Sequence, residues 1–141
     1  MTNNRTRAIR VMLVGDLPIS LWGLEKLLQG AAPEIELAGT AGDSGEATRI
    51  IYETPIDVIV VDLDGDIGID AIAELCSISP ARVLALTVSR DVSVHDGAIL
   101  AGARGVVARS EPVASLLKAI GKIDEGEFWI DGAATGRIFF H

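Results

Sequence analysis

Three polar residues close apolar runs in this chain, and together they could hold a metal ion or handle a phosphoryl group. Asp62 ends the run Val58-Ile59-Val60-Val61. Asp16 follows Ile9-Arg10-Val11-Met12-Leu13-Val14-Gly15, and Thr87 follows Val83-Leu84-Ala85-Leu86. A short apolar run that stops at a carboxylate reads as a buried strand emerging from an open α/β sheet, at the edge where ligands and chemistry gather. If the three strands are parallel neighbours, two carboxylates and a hydroxyl converge there. Hard divalent cations take such oxygen ligands, and a carboxylate can act as nucleophile towards a phosphoryl donor. The structural alternative is that both aspartates cap strand-to-helix loops and that Thr87 is a β-branched strand residue.

The elements that must position these residues alternate in type. Strands are expected at Ile9–Val14, Ile35–Gly39, Val58–Val61, Val83–Thr87 and Val106–Ala108. Helix-period stretches lie between and after them, at Pro18–Gln29, Ser44–Glu53, Ile69–Cys76, Val92–Ala101 and Pro112–Asp124. Pro18 and Gly30 bracket the first helix, whose apolar face is read as Ile19, Leu24, Leu27 and Leu28. Ser44 and Ser110 are read as N-caps. The first and third strands are continuously apolar, as expected when helices cover both faces of a sheet. The pattern predicts a flavodoxin-like (βα)5 doubly wound parallel sheet of strand order 2-1-3-4-5. That order makes Asp16 and Asp62 neighbours at the switch point.

Composition narrows the function. The 141 residues suffice for one domain, and 49% of them are hydrophobic. A net charge of −8 argues against direct nucleic-acid binding, because backbone contacts need clustered Lys and Arg. Arg5, Arg7 and Arg10 read as part of a solvated tail. No apolar run reaches membrane-spanning length, no signal core follows Met1, and a cytoplasmic location is expected. Cys76, the single cysteine, can form neither an internal disulfide nor a zinc site and reads as a small core residue. His95 is expected to be exposed. Asp43, Asp57, Asp66 and Asp70 read as surface or capping residues, and Trp22 and Trp129 as packing residues.

From Ile9 to Asp131 the chain resembles the receiver domain of two-component response regulators, in particular the LuxR/NarL type that carries a C-terminal helix-turn-helix domain. The likeness rests on Val14-Gly15-Asp16-Leu17-Pro18, Pro55-Ile56-Asp57-Val58-Ile59-Val60-Val61-Asp62-Leu63, Val83-Leu84-Ala85-Leu86-Thr87, Ala101-Gly102-Ala103-Arg104-Gly105-Val106 and Gly126-Glu127-Phe128-Trp129. It implies a disordered tail over 1–8 and a receiver domain over 9–126. Residues 127–141 would then begin a linker or helix, with an apolar end at Ile138-Phe139-Phe140, leading to a DNA-binding domain outside this chain. Asp62 falls on the phosphoacceptor. Asp16, Asp62 and the backbone carbonyl of Asp64 fall on the Mg2+ site, while Thr87 and Arg109 fall on the phosphoryl-binding switch residues. The implied partners are a sensor histidine kinase, a second copy of the chain and, through the further domain, DNA.

The chain also departs from that pattern. Gly15 stands where the family has its first acidic residue, which should weaken Mg2+ binding. Arg109 replaces a lysine; it keeps the charge but has a different reach and can form bidentate pairs. Val106 or Val107 stands where an aromatic switch residue is usual. The loop Leu63-Asp64-Gly65-Asp66-Ile67-Gly68 lacks the usual Met-Pro and reads as shortened. Two expectations follow: a phosphorylation switch at Asp62, or a phosphorylation-independent pseudo-receiver in which Arg109 pairs permanently with Asp62. A remoter likeness, of Val61-Asp62-Leu63-Asp64-Gly65-Asp66 to the first motif of haloacid-dehalogenase-type phosphatases, would give nucleophilic and proton-shuttling roles to Asp62 and Asp64. The cyclic di-GMP motif Trp-x-x-Arg of some relatives is not met, since Gly132 stands where its arginine would be.

Overall fold

The computed structural model describes residues 7–130. The helix expected over 132–140, Asp131, His141 and residues 1–6, Arg5 among them, lie outside the described residues. Five strands and five helices alternate: β1 (Ile9–Val14), α1 (Pro18–Gln29), β2 (Ile35–Ala41), α2 (Ser44–Glu53), β3 (Val58–Asp62), α3 (Asp70–Ile78), β4 (Arg82–Thr87), α4 (Val92–Leu100), β5 (Gly105–Ala108) and α5 (Val113–Asp124). All pairings are parallel, in the order β2-β1-β3-β4-β5. The expected fold class and strand order are therefore both observed.

Alternation along the central strands builds two cores. Val11 and Leu13, Val58 and Val60, and Leu84 and Leu86 face Leu24 and Leu28 of α1 and Leu116, Ile120 and Ile123 of α5. Met12 and Val14, Ile59 and Val61, and Val83 and Ala85 face Ile50, Ile72, Leu75 and Ala98 of α2, α3 and α4. A strand buried on both faces cannot carry a polar residue until it leaves the sheet, so Asp62 and Thr87 stand at strand ends. Full burial of one such aliphatic side chain contributes roughly 1.5–3 kcal/mol, and this double layer holds the strand ends in register.

Several local readings need correction. Ile19 is 88% exposed; Leu21 packs inward instead, because the 21, 24, 28 spacing lies on one helical stripe and 19 does not. The N-cap of α2 is Asp43 rather than Ser44. Asp43 Oδ1 accepts the Glu46 N–H at 2.8 Å and Glu46 Oε1 accepts the Gly42 N–H at 2.7 Å, a variant of the capping box that reaches the residue before the cap. Ser110 does not cap α5; it accepts from Arg90. Trp22 is 62% exposed beneath the Lys26 ammonium, whereas Trp129 packs on the core and bridges Gly105. His95 is half-buried on the Ser89 carbonyl. Arg10 belongs to β1 and binds Glu36 and the Pro55 carbonyl.

Gly102 follows α4 with φ +123°, and a Cβ there would lie 2.8 Å from Cys76 Sγ. Gly102→Ala should therefore cost at least about 1 kcal/mol in urea unfolding, from the disfavoured φ as well as the clash. Adding Cys76→Ala should recover the clash but not the φ penalty. At the other end of α4, Asp91 caps the helix. The Ser93 N–H and hydroxyl hold its carboxyl below the ordinary aspartate range, with a smaller attraction from His95. A lowered folded-state pKa means that this stabilisation is present above the ordinary aspartate pKa and is lost as pH falls through the lowered one. Carboxyl NMR titration should give Asp91 a midpoint below that of a solvated aspartate, and Asp91→Asn should flatten that part of the acid limb of stability.

Candidate functional site at the carboxyl edge of the sheet

The strand order brings β1, β3 and β4 side by side, and β5 completes the edge. Asp62 pairs in register with Leu86, one residue before Thr87, and Thr87 pairs with Ala108, one residue before Arg109. The Arg109 N–H donates to the Thr87 carbonyl at 2.9 Å. These short offsets converge Asp62, Thr87 and Arg109, three residues spread over 48 positions of sequence.

Asp62 is 1% exposed and Thr87 3%. A carboxylate so nearly cut off from water needs compensating donors. Asp62 Oδ1 accepts the Asp64 N–H at 2.9 Å. Asp62 Oδ2 accepts the Ser20 hydroxyl at 2.8 Å and Arg109 Nη2 at 2.7 Å. Arg109 Nη2 also donates to the Ser20 oxygen, closing a triangle between α1, β3 and the end of β5. Arg109 Nε donates to Asp64 Oδ2 at 2.5 Å. One guanidinium thus spans two carboxylates through two different N–H groups.

Asp64 does more than sequence reasoning assigned to it. Its Oδ1 accepts the Thr87 hydroxyl at 3.0 Å and the Val88 N–H at 2.8 Å. Thr87 Oγ1 in turn accepts the Ser89 N–H at 3.1 Å, so both the donor and an acceptor site of that hydroxyl are used. Besides the backbone carbonyl expected of it, Asp64 brings its side chain, which carries these contacts. The signal lay in its position two residues after Asp62, where its own N–H turns back onto the Asp62 carboxylate. Ser20 was missed altogether: it sits within an apolar helical stretch, and only the packing of α1 on the sheet, over β1 and β2, brings its hydroxyl to Asp62.

Asp16 stands apart. Its carboxylate accepts the Asp66 N–H at 3.2 and 3.0 Å and caps no helix. The backbone of Gly65 lies so close that a Cβ there would collide with the Asp16 carboxylate. Gly15 lies beneath Asp62, and a Cβ on it would meet Asp62 Cβ and Leu21 Cδ2 at 3.1 Å. Of the two candidates for the aromatic position, Val107 is in the core, while Val106 borders an open cavity of about 360 Å³ with His95, Glu111, Phe128, Trp129 and Ile130.

As arranged, the carboxylates of this edge face donors of the domain itself, a guanidinium and backbone N–H groups. Among the described residues no three carboxylate, imidazole or thiol groups are arranged to hold a metal ion. Asp62 and Asp64 are instead turned onto a guanidinium. Replacing Arg109 by alanine would leave two carboxylates, 1% and 11% exposed, facing each other without a counter-charge. The expected loss is about 2–3 kcal/mol in urea unfolding, below the roughly 3–5 kcal/mol for a fully buried pair, because 27% of the Arg109 side chain meets solvent.

No protein-family model matches the chain. Individual relatives do. The transcriptional regulatory protein LiaR of Bacillus subtilis is 32% identical over 133 residues, which cover 92% of this chain and 63% of LiaR. The DNA-binding transcriptional activator DevR/DosR of Mycobacterium tuberculosis is 34% identical over 134 residues, covering 92% of this chain and 61% of the relative. The chain thus spans somewhat under two thirds of the length of these curated relatives. Among solved structures, a LuxR-family two-component response regulator from an Aurantimonas species superposes with a TM-score of 0.79 at 33% identity, over 93% of this chain and 95% of that one. With that identity over nearly the whole of a response regulator of known structure, the chain belongs to the LuxR/NarL-type response regulators and forms their receiver domain.

Proposed function

We propose that this receiver domain signals through its protein surfaces without phosphorylation of Asp62, as a pseudo-receiver. The observation that carries this reading is the ion pair of Arg109 with Asp62 and Asp64. Both Asp62 oxygens are already acceptors of donors in the same domain. Attack on phosphorus would require Asp62 Oδ2 to shed the Arg109 and Ser20 contacts and to stay ionised while doing so. The Thr87 hydroxyl, which would meet an incoming phosphoryl group, is held by Asp64. Gly15 and Val106 remove two further parts of the usual switch.

In this reading the chain is the regulatory part of a longer cytoplasmic transcription regulator. DNA contact would fall to a domain outside these residues, consistent with a relative described as a DNA-binding activator and with the chain's own acidity. Pairing of two copies suits such a role, because two-fold operators call for two-fold proteins. Among the described residues no helix is long and apolar enough to cross a membrane.

A second reading is favoured by the placement of Asp62 itself, at the end of a buried strand beside Thr87 and Arg109. There Asp62 is the phosphoacceptor for a sensor histidine kinase. Its carboxylate oxygen forms a bond to phosphorus as the donor group leaves, and Arg109 and Thr87 move onto the phosphoryl oxygens. Intact mass after incubation with phosphoramidate, with and without Mg2+, separates the two. No phosphoryl gain is expected under either condition; a Mg2+-dependent gain of one phosphoryl group, absent in Asp62→Asn, would overturn the pseudo-receiver.

A further inference from the structure

We propose that Arg109 is the resident cation of this site: its guanidinium holds the charge-balancing position between Asp62 and Asp64, and so makes the domain insensitive to Mg2+. The proposal deepens the reading above, from the same ion pair, and can fail separately from it.

The argument starts from the oxygens. Asp62 Oδ1 and Oδ2 and Asp64 Oδ1 and Oδ2 each already accept at least one donor, between 2.5 and 3.0 Å away. A divalent ion would have to share those oxygens with their donors and sit beside a fixed positive charge, which opposes it. The guanidinium cannot easily give way. Nε is committed to Asp64 and Nη2 to Asp62 and Ser20, while the Arg109 main chain is anchored on the Thr87 carbonyl. The planar fork matters here, because its N–H groups diverge towards two acceptors while a lysine ammonium is a compact point charge.

The remaining ligands do not compensate. Gly15 brings no carboxylate, and any side chain there meets Asp62 Cβ and Leu21. Asp16 is occupied by the Asp66 N–H and held against Gly65. Three acidic side chains are thus gathered at one edge: Asp62 and Asp64 share the single charge of Arg109, and Asp16 is turned onto the backbone. Taking Arg109 away would leave them as an unbalanced oxygen cluster of the kind that hard cations stabilise.

Thermal unfolding and calorimetric titration of the intact chain test this, with MgCl2 against KCl at matched ionic strength. The wild-type midpoint should be the same in both salts. Arg109→Lys, which keeps the charge but loses the planar diverging fork, should be stabilised by Mg2+. Its Mg2+ affinity should exceed that of the wild type by about tenfold or more, and Arg109→Ala, if it folds, should respond at least as strongly. A Mg2+-specific rise of the wild-type midpoint, or an Arg109→Lys chain as unresponsive as the wild type, would overturn the proposal. Phosphoryl transfer to wild-type Asp62 without Mg2+ would instead sink the pseudo-receiver and leave this inference standing.

Discussion

Three central strands and an edge strand end together, and the charges they deliver to that edge have to be balanced. Asp62 emerges from a strand buried on both faces and is almost sealed from water. An isolated carboxylate there would cost several kcal/mol. The balance comes from Arg109, one residue beyond the end of β5, which reaches back across β4 to Asp64 and Asp62. Ser20 ties the same guanidinium to α1. The arrangement draws on α1, β3, the loop after it, β4 and β5, so it exists only when the whole edge is assembled.

From this ion pair, hydrogen bonds run outward to the surface. Asp64 holds the Thr87 hydroxyl and the Val88 N–H, Thr87 holds the Ser89 N–H, and the Ser89 carbonyl meets the His95 ring on α4. Arg90, in the same loop, donates to Ser110 beyond Arg109. The loop between β4 and α4 is therefore tied to the site at one end and to the Asp91 cap at the other. These bonds link the site to the α4 face, beside a strand whose Val106 borders the cavity and offers no ring. In this architecture the charge state of the edge and the position of the loop are one problem.

The edge strand is also managed. Gly105 leaves room for Trp129, which forms a parallel bridge with it, and a Cβ at that position would lie 2.8 Å from Trp129 Cβ. The Trp129 N–H and carbonyl bond to the Arg104 carbonyl and the Val106 N–H. The segment after α5 thus covers part of β5 and limits open strand pairing there. It also forms one wall of the cavity beside Val106, so this segment and the aromatic-free strand shape the same surface.

Much of this was legible in the chain. Apolar runs with periods of two and 3.6 determined the alternation of strands and helices, and their ends marked Asp16, Asp62 and Thr87 as the residues forced to a sheet edge. Arg109 was marked by the resemblance, which places it at the family's lysine position, and its pairing with Asp62 was among the expected alternatives. What the pattern could not carry was direction in space. A helix stripe read by eye placed Ile19 inward, while packing chose Leu21. Ser44 and Asp43 are both good caps, and the capping box with Glu46 decided between them. Ser20 and the Asp64 carboxylate became site residues only when the packing of α1 and the loop after β3 brought them to Asp62 and Arg109. Sequence determines which groups reach the edge, because burial along the chain is a local property. Tertiary structure alone decided which oxygen faces which donor, because those distances depend on segments up to 89 residues apart.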